Sequence, residues 1–249
     1  MFRETSLAVT LALSVLAAPS SAGPAVHRGP PVVCHRLEIG DAPSLPFGEG
    51  AFGRDGSFDL SDLVEKTHAL LESSDDTFVH METLRRAVVY VTGGRPDGHK
   101  ARKGDIDGLV GTLEKRMDGL RWAAAVATPE DEVAARRAWG LAAFDLAWTL
   151  EGLSEMGHKP RNSKQAGAWL QVAVSARPGD AALRLGASIV CFARGERQGQ
   201  YVHLDRALAA IDSPSGLLGR NISNTMGSFL GTRDHAELAT RVTTVLKGA

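Results

Sequence analysis

The chain has 249 residues, 43% of them hydrophobic, with 28 lysines and arginines against 29 acids and a formal net charge of −1. This near-neutral balance gives nucleic acid and acidic membrane surfaces no electrostatic hold, so neither is expected as a partner. A chain of this length buries roughly 70–75% of its unfolded surface, so its core needs no disulfide or metal.

Met1 to Ser6 is a short polar start carrying Arg3 and Glu4, and Leu7 to Ala18 is an apolar run with only Thr10 and Ser14 polar. Pro19 ends the run, and Ser20-Ser21-Ala22 places small residues at a cleavage position. The run is shorter than the roughly 20 residues of a bilayer span and has the layout of a secretory signal peptide, residues 1–22. The expected product is an exported protein, periplasmic or extracellular. Removing 22 of the 249 residues leaves 227, with no later apolar run of transmembrane length.

Residues 23–58 read as an irregular Pro/Gly-rich segment, with Pro24, Pro30, Pro31, Pro43 and Pro46 among its turn-formers. Val32 to Ile39 has the composition of a short strand but no second strand nearby to pair with. The segment is expected to lie across a helical body through Leu37, Ile39, Leu45, Phe47, Phe52 and Phe58. Gly48-Glu49-Gly50-Ala51-Phe52-Gly53 spells the dinucleotide fingerprint. It lacks the preceding strand and the following helix on which pyrophosphate binding depends, so a glycine loop is the better reading. Asp55, Ser57, Asp59 and Ser61 have the alternate spacing of a calcium loop, but Leu60 and Lys66 stand where glycine and a bidentate carboxylate are needed.

From residue 59 to 249 the apolar period is helical, and this is the expected helical domain. Asp59 or Ser61 can cap a helix with Leu60, Leu63, Val64, Thr67, Leu70 and Leu71 on one side. Asp75-Asp76 opens a second, with Phe78, Met81, Leu84, Val88 and Val91 in line, stopped by Gly93-Gly94. Arg95, Lys100, Arg102 and Lys103 make a basic loop, relieved by Asp97, that suits an acidic partner. Asp105 starts a third helix. Thr128-Pro129-Glu130-Asp131 is expected to open a long fourth helix running to about Met156, apolar on two sides and central to the fold. Further helices are read at Ser163–Ala176, Asp180–Ala193, Tyr201–Ile211 and Arg233–Leu246, with Ser213–Gly219 as a separator. The expected fold class is all-α, built of antiparallel helical hairpins.

Within the second half, Leu170 and Ala173 recur thirty-four residues later as Leu204 and Ala207. Ala166-x3-Leu170-x2-Ala173-x4-Pro178 and Leu185-Gly186-x2-Ile189 resemble parts of the two helices of a tetratricopeptide repeat. The resemblance covers residues 162–212, about a fifth of the chain. Ala182 stands where that family often has tryptophan, and Asp212 replaces the closing proline, so an irregular helical bundle stays open as the alternative. The resemblance implies a protein- or peptide-binding scaffold or adaptor, with contacts on inward positions of Ser163–Ala193.

The remaining chemistry is sparse, and no catalytic residue is assigned. The eight histidines are scattered without the i, i+4 spacing of a helical zinc site, so no metal or cofactor is expected. Cys34 and Cys191, an even count in an exported chain, permit one long-range disulfide. Cys191 also fits an apolar helix as a free core residue. Glu72-Ser73 resembles the catalytic pair of lytic transglycosylases without that family's downstream glycine-rich segment. Glu38 and Asp41 are two carboxylates that could flank a sugar bond. The alternative function is therefore an exported hydrolase or lyase on cell-wall or polysaccharide material, its site where the Cys34–Phe58 loop crosses the helices. Trp139 and Trp148 mark a third option, a small-ligand pocket.

Overall fold

A computed structural model describes residues 31–50, 52–93 and 103–248. The signal-like segment, together with Arg95, Lys100 and Arg102, lies outside them, and Lys103 opens a helix. Among the described residues are ten α-helices and no strand, an all-α helical bundle. In chain order they are α1 (Pro31–Cys34), α2 (Leu63–Glu72), α3 (Thr77–Val91), α4 (Lys103–Ala125), α5 (Glu132–Glu155), α6 (Ala166–Ala176), α7 (Ala181–Ala193), α8 (Arg197–Leu208), α9 (Leu217–Leu230) and α10 (His235–Lys247). Single 3-10 turns, Leu60–Asp62 and Ser163–Gln165, lead into α2 and α6.

Aspartates set four of the starts, each accepting a backbone N–H that the helix itself leaves unpaired. Asp59 takes that of Ser61, Asp76 of Phe78, Asp180 of Leu183 and Asp234 of Glu237. Gly157, at φ +82°, ends α5 in the left-handed region that favours glycine.

The centre is α5, packed on α3, α4 and α6, and buried on every side from Gly140 to Leu153. α7 presses on α3 and α5 where Gly186 has no side chain to interpose. A Cβ there would stand 2.4 Å from Phe144 Cζ and 3.1 Å from Met81 Sδ. α6 lies along α5 and α8 along α7, and the recurring Leu170, Ala173, Leu204 and Ala207 are all buried in these pairs.

Four features depart from the sequence reading. The expected strand is absent: Pro31–Cys34 is one helical turn, because the Glu155 carboxylate of α5 accepts from the N–H groups of Val32 and Val33 at 3.0 and 3.1 Å. α3 is buried all round rather than along one apolar stripe: every residue but Arg86 is buried, and its Glu82, Arg85 and Arg86 bond Leu37, Val33 and Leu45 of the segment that covers it. α5 opens at Glu132 rather than Pro129, because Thr128 bonds Asp131 within a preceding turn. α9 was unassigned: its Gly, Ser, Asn and Thr content is poor for a helix, yet Ile222, Met226 and Phe229 anchor it in the core.

Residues 118–139 contain no buried residue, so the last turns of α4 and the first of α5 project from the body. Trp122, Val126 and Val133 are 71%, 60% and 69% exposed there.

Candidate functional site

Two of the buried charge clusters tie distant segments to α3. On α3, the Glu82 carboxylate accepts from Arg85 Nε at 2.7 Å, Arg86 Nε at 2.8 Å and the Leu37 N–H at 3.0 Å. Arg85 and Arg86 in turn donate to the carbonyls of Val33 and Leu45, and both guanidiniums lie over the Phe47 ring. Burial pushes the Glu82 carboxyl up, but the bonds and charge of Arg85 and then Arg86 outweigh it and hold it below its usual range. This clamp fastens residues 31–58 over α3. The second cluster is His80, fully buried, with Nδ1 2.8 Å from Asp145 Oδ1 and Nε2 2.9 Å from the Ser74 carbonyl. Both partners are acceptors, so both ring nitrogens donate and the ring is an imidazolium. Burial opposes that charge, but Asp145 outweighs it and raises the histidine above its usual value. Arg116 donates to the other Asp145 oxygen at 2.7 Å. Every strong acceptor in these clusters is used, which marks structural rather than reactive groups.

One open groove, of about 950 Å³, lies between α2, α4 and α5; another, of about 1110 Å³, is bounded by α1, α5 and α7 to α10. Its aromatic wall is Phe229, stacked on Phe192 at 4.5 Å and edge-on to His35 at 4.6 Å, with Tyr201 and Val245 continuing the apolar lining. Polar groups also line it. Glu155, half-buried at the inner end, is pushed up to about 8 by burial, with Glu151 adding to the rise while the Val32 and Val33 N–H groups pull it down. Gln200 is 3% exposed, and its amide nitrogen has no hydrogen-bond partner among the described residues. Its backbone is fixed, since its carbonyl accepts from Ser188 Oγ at 2.9 Å and its N–H bonds the Glu196 carbonyl. Arg197 is exposed at the rim, pairs with no carboxylate among the described residues, and is the first residue of α8. A cation there faces the positive end of the helix dipole, the less favourable end for it. The opposite wall, α10, presents Thr240 and Thr244, whose hydroxyls donate to their own helix and keep lone pairs free, and Arg241, paired with Glu237.

The groove contains one carboxyl. Glu151, one turn earlier on α5, is turned to Arg194, 3.6 Å away. The paired acids of glycoside hydrolysis are therefore not assembled here.

The sequence candidates fall elsewhere. Cys34 and Cys191 are both free thiols. Burial, then Glu196, pushes Cys191 up to about 12, and burial raises Cys34 as well, so neither has the thiolate of a nucleophile. Glu38 is bound to Arg220 at 2.5 Å and Asn224 at 3.0 Å on α9. Glu72 sits beside His68, and Ser73 bonds the Leu70 carbonyl. Asp55 and Asp59 spend their carboxylates on Ser57 and Ser61. The Gly48–Gly53 loop closes on itself, Gly48 N–H to the Gly53 carbonyl at 2.6 Å, with no helix after it. The crossing of the Cys34–Phe58 loop over the helices is filled by the Glu82 clamp. Trp148 is core, its indole N–H bonded to the Met81 carbonyl at 3.1 Å, and Trp139 is half-buried. Of Ser163–Ala193, where contacts were expected, Phe192 and Ala193 reach the groove. Glu155, Gln200 and Tyr201 were missed as site residues. Only the pairing of Gln200 and Tyr201 with Arg197 at helical spacing hinted at a shared face, and its meaning depends on α9 and α10 standing opposite.

No family model matches the chain, and no curated protein or solved structure resembles it at a significant level.

Proposed function

We propose that the protein is an exported, non-catalytic scaffold that holds an extended peptide segment of a protein partner in the groove between α8 and α10. The observation that carries this reading is the buried, unpartnered Gln200 amide beside the aromatic wall of the groove. Leaving such a group unsatisfied costs about 1–3 kcal/mol, and a peptide carbonyl would satisfy it. At about 1110 Å³ the groove stands at the top of the size range of ligand pockets, and it opens to solvent, so it has room for a segment of chain. The α5–α6 and α7–α8 pairs, with Leu170, Ala173, Leu204 and Ala207 buried, support tetratricopeptide-like units as the scaffold. The signal-like residues 1–22 support export.

The test is fluorescence anisotropy of fluorescein-labelled nonapeptides of mixed apolar and polar sequence, titrated with the protein lacking residues 1–22. Saturable binding is expected, lost when Ala193→Trp fills the groove and weakened by Gln200→Leu, with helix content checked by circular dichroism. Absence of saturable binding across the set would overturn the reading. The raised Glu155 favours a second reading, a hydrolase or lyase on cell-wall or polysaccharide material. Release of new sugar ends from such material by the wild type but not by Glu155→Gln would establish it.

A further inference from the structure

The groove has a charged rim as well as an apolar floor. Resting on the peptide-binding reading, we propose that its ligand class is an extended segment alternating apolar and acidic residues, with Arg197 pairing an acidic side chain while Gln200 bonds the backbone beside it. Arg197 and Gln200 are one turn apart on α8, so they lie on the same face of that helix, and both line the groove. A bound segment that satisfies the amide therefore brings its neighbouring side chain to the guanidinium.

Three observations converge on an acid at that position. Arg197 has no carboxylate partner among the described residues, and it stands at the end of α8 where a cation is disfavoured. Across the groove, Glu237 is spent on Arg241 and is not part of the lining, so it does not neutralise Arg197. Glu155, the one acid in the lining, is drawn inward by the Val32 and Val33 N–H groups. The rim is thus left with the unpaired Arg197 over an apolar floor of Phe192, Phe229 and Tyr201. Alternation follows from the extended chain, in which successive side chains point to opposite sides. One side meets the aromatic floor and the other meets the rim.

The proposal is tested with three heptapeptides, acetylated and amidated so that only side chains differ: alternating Leu and Glu, Leu and Gln, and Leu and Lys. The Glu peptide is expected to bind about tenfold more tightly than the Gln peptide, the scale of one charge-assisted hydrogen bond, with the Lys peptide weakest. Added salt narrows the gap. Arg197→Glu, an exposed rim change that leaves the fold intact, is expected to reverse the order, and Arg197→Lys to keep it. Equal binding of the three peptides, or an acidic preference that survives Arg197→Glu, would overturn the charge selection and leave the peptide groove standing. If none of the three binds while the nonapeptides do, the alternating ligand class falls; if neither set binds, the groove reading itself falls.

Discussion

Glu82→Ala removes the carboxylate that neutralises Arg85, a side chain with no exposure, and takes hydrogen bonds from Arg86 and the Leu37 N–H at the same time. Breaking a buried pair from one side typically costs about 3–5 kcal/mol, because the remaining charge keeps its desolvation penalty. Arg86 is 14% exposed and can turn to water, so its share is small. The loss therefore comes mainly from Arg85 and from the freed backbone of residues 31–58. For a chain of this size it corresponds to a fall in Tm of about 6–20 °C. Urea unfolding followed by circular dichroism measures it, and limited proteolysis reports release of residues 31–58 before the helices unfold. The double variant Glu82→Met/Arg85→Met, which swaps the pair for apolar groups of similar length, is expected to recover most of the loss. A cost below about 1 kcal/mol for Glu82→Ala, or no recovery in the double variant, would refute the clamp.

Further outcomes follow from the same contacts. Gly186→Ala should cost about 1–3 kcal/mol by overpacking against Phe144, with part regained in Gly186→Ala/Phe144→Leu; a rise in thermal stability would show that α7 does not approach so closely. Glu155 has a folded value near 8 against an ordinary 4.5, so its contribution to stability is fully present below 4.5 and declines as pH rises to about 8. Glu155→Gln should flatten that alkaline limb in a pH series of urea midpoints, and an unchanged limb would count against its burial. His203 is depressed to about 4 by burial and then by Arg184, so its contribution is present above 6.5 and is lost as pH falls toward 4. His203→Phe should blunt the acid limb. His80 lies above its usual value, so its contribution is complete below about 6.5 and fades as pH rises through the folded value. NMR titration of the His80 ring should show the upward shift in the wild type and lose it in Asp145→Asn.

Much of the helical framework was legible because its signals are local. Asp59, Asp76 and Asp180 cap the helices that follow them through bonds two or three residues long. The stripe Trp139, Ala143, Leu146, Leu150 and Leu153, with Leu141, Phe144 and Trp148 on a second side, marks α5 as central because a helix apolar on two sides must have neighbours; all but the half-buried Trp139 are buried. α9 escaped because its helicity depends on burial of Ile222, Met226 and Phe229 rather than on propensity. α1 escaped because its cap, Glu155, lies 123 residues away in the chain.

Sequence by itself determined the all-α class, the positions of most helices and the burial of the recurring Leu–Ala pairs, since each depends on spacing within a turn or two. Tertiary structure alone decided which charges are neutralised inside and which are left over. Glu82 and Asp145 look like surface acids until Arg85, Arg86, His80 and Arg116 are brought around them. Gln200 and Arg197 look like ordinary surface residues until α9 and α10 close the far side of a groove and leave both without partners there. The physical reason is that a hydrogen bond or ion pair between distant segments leaves no periodic trace in either one.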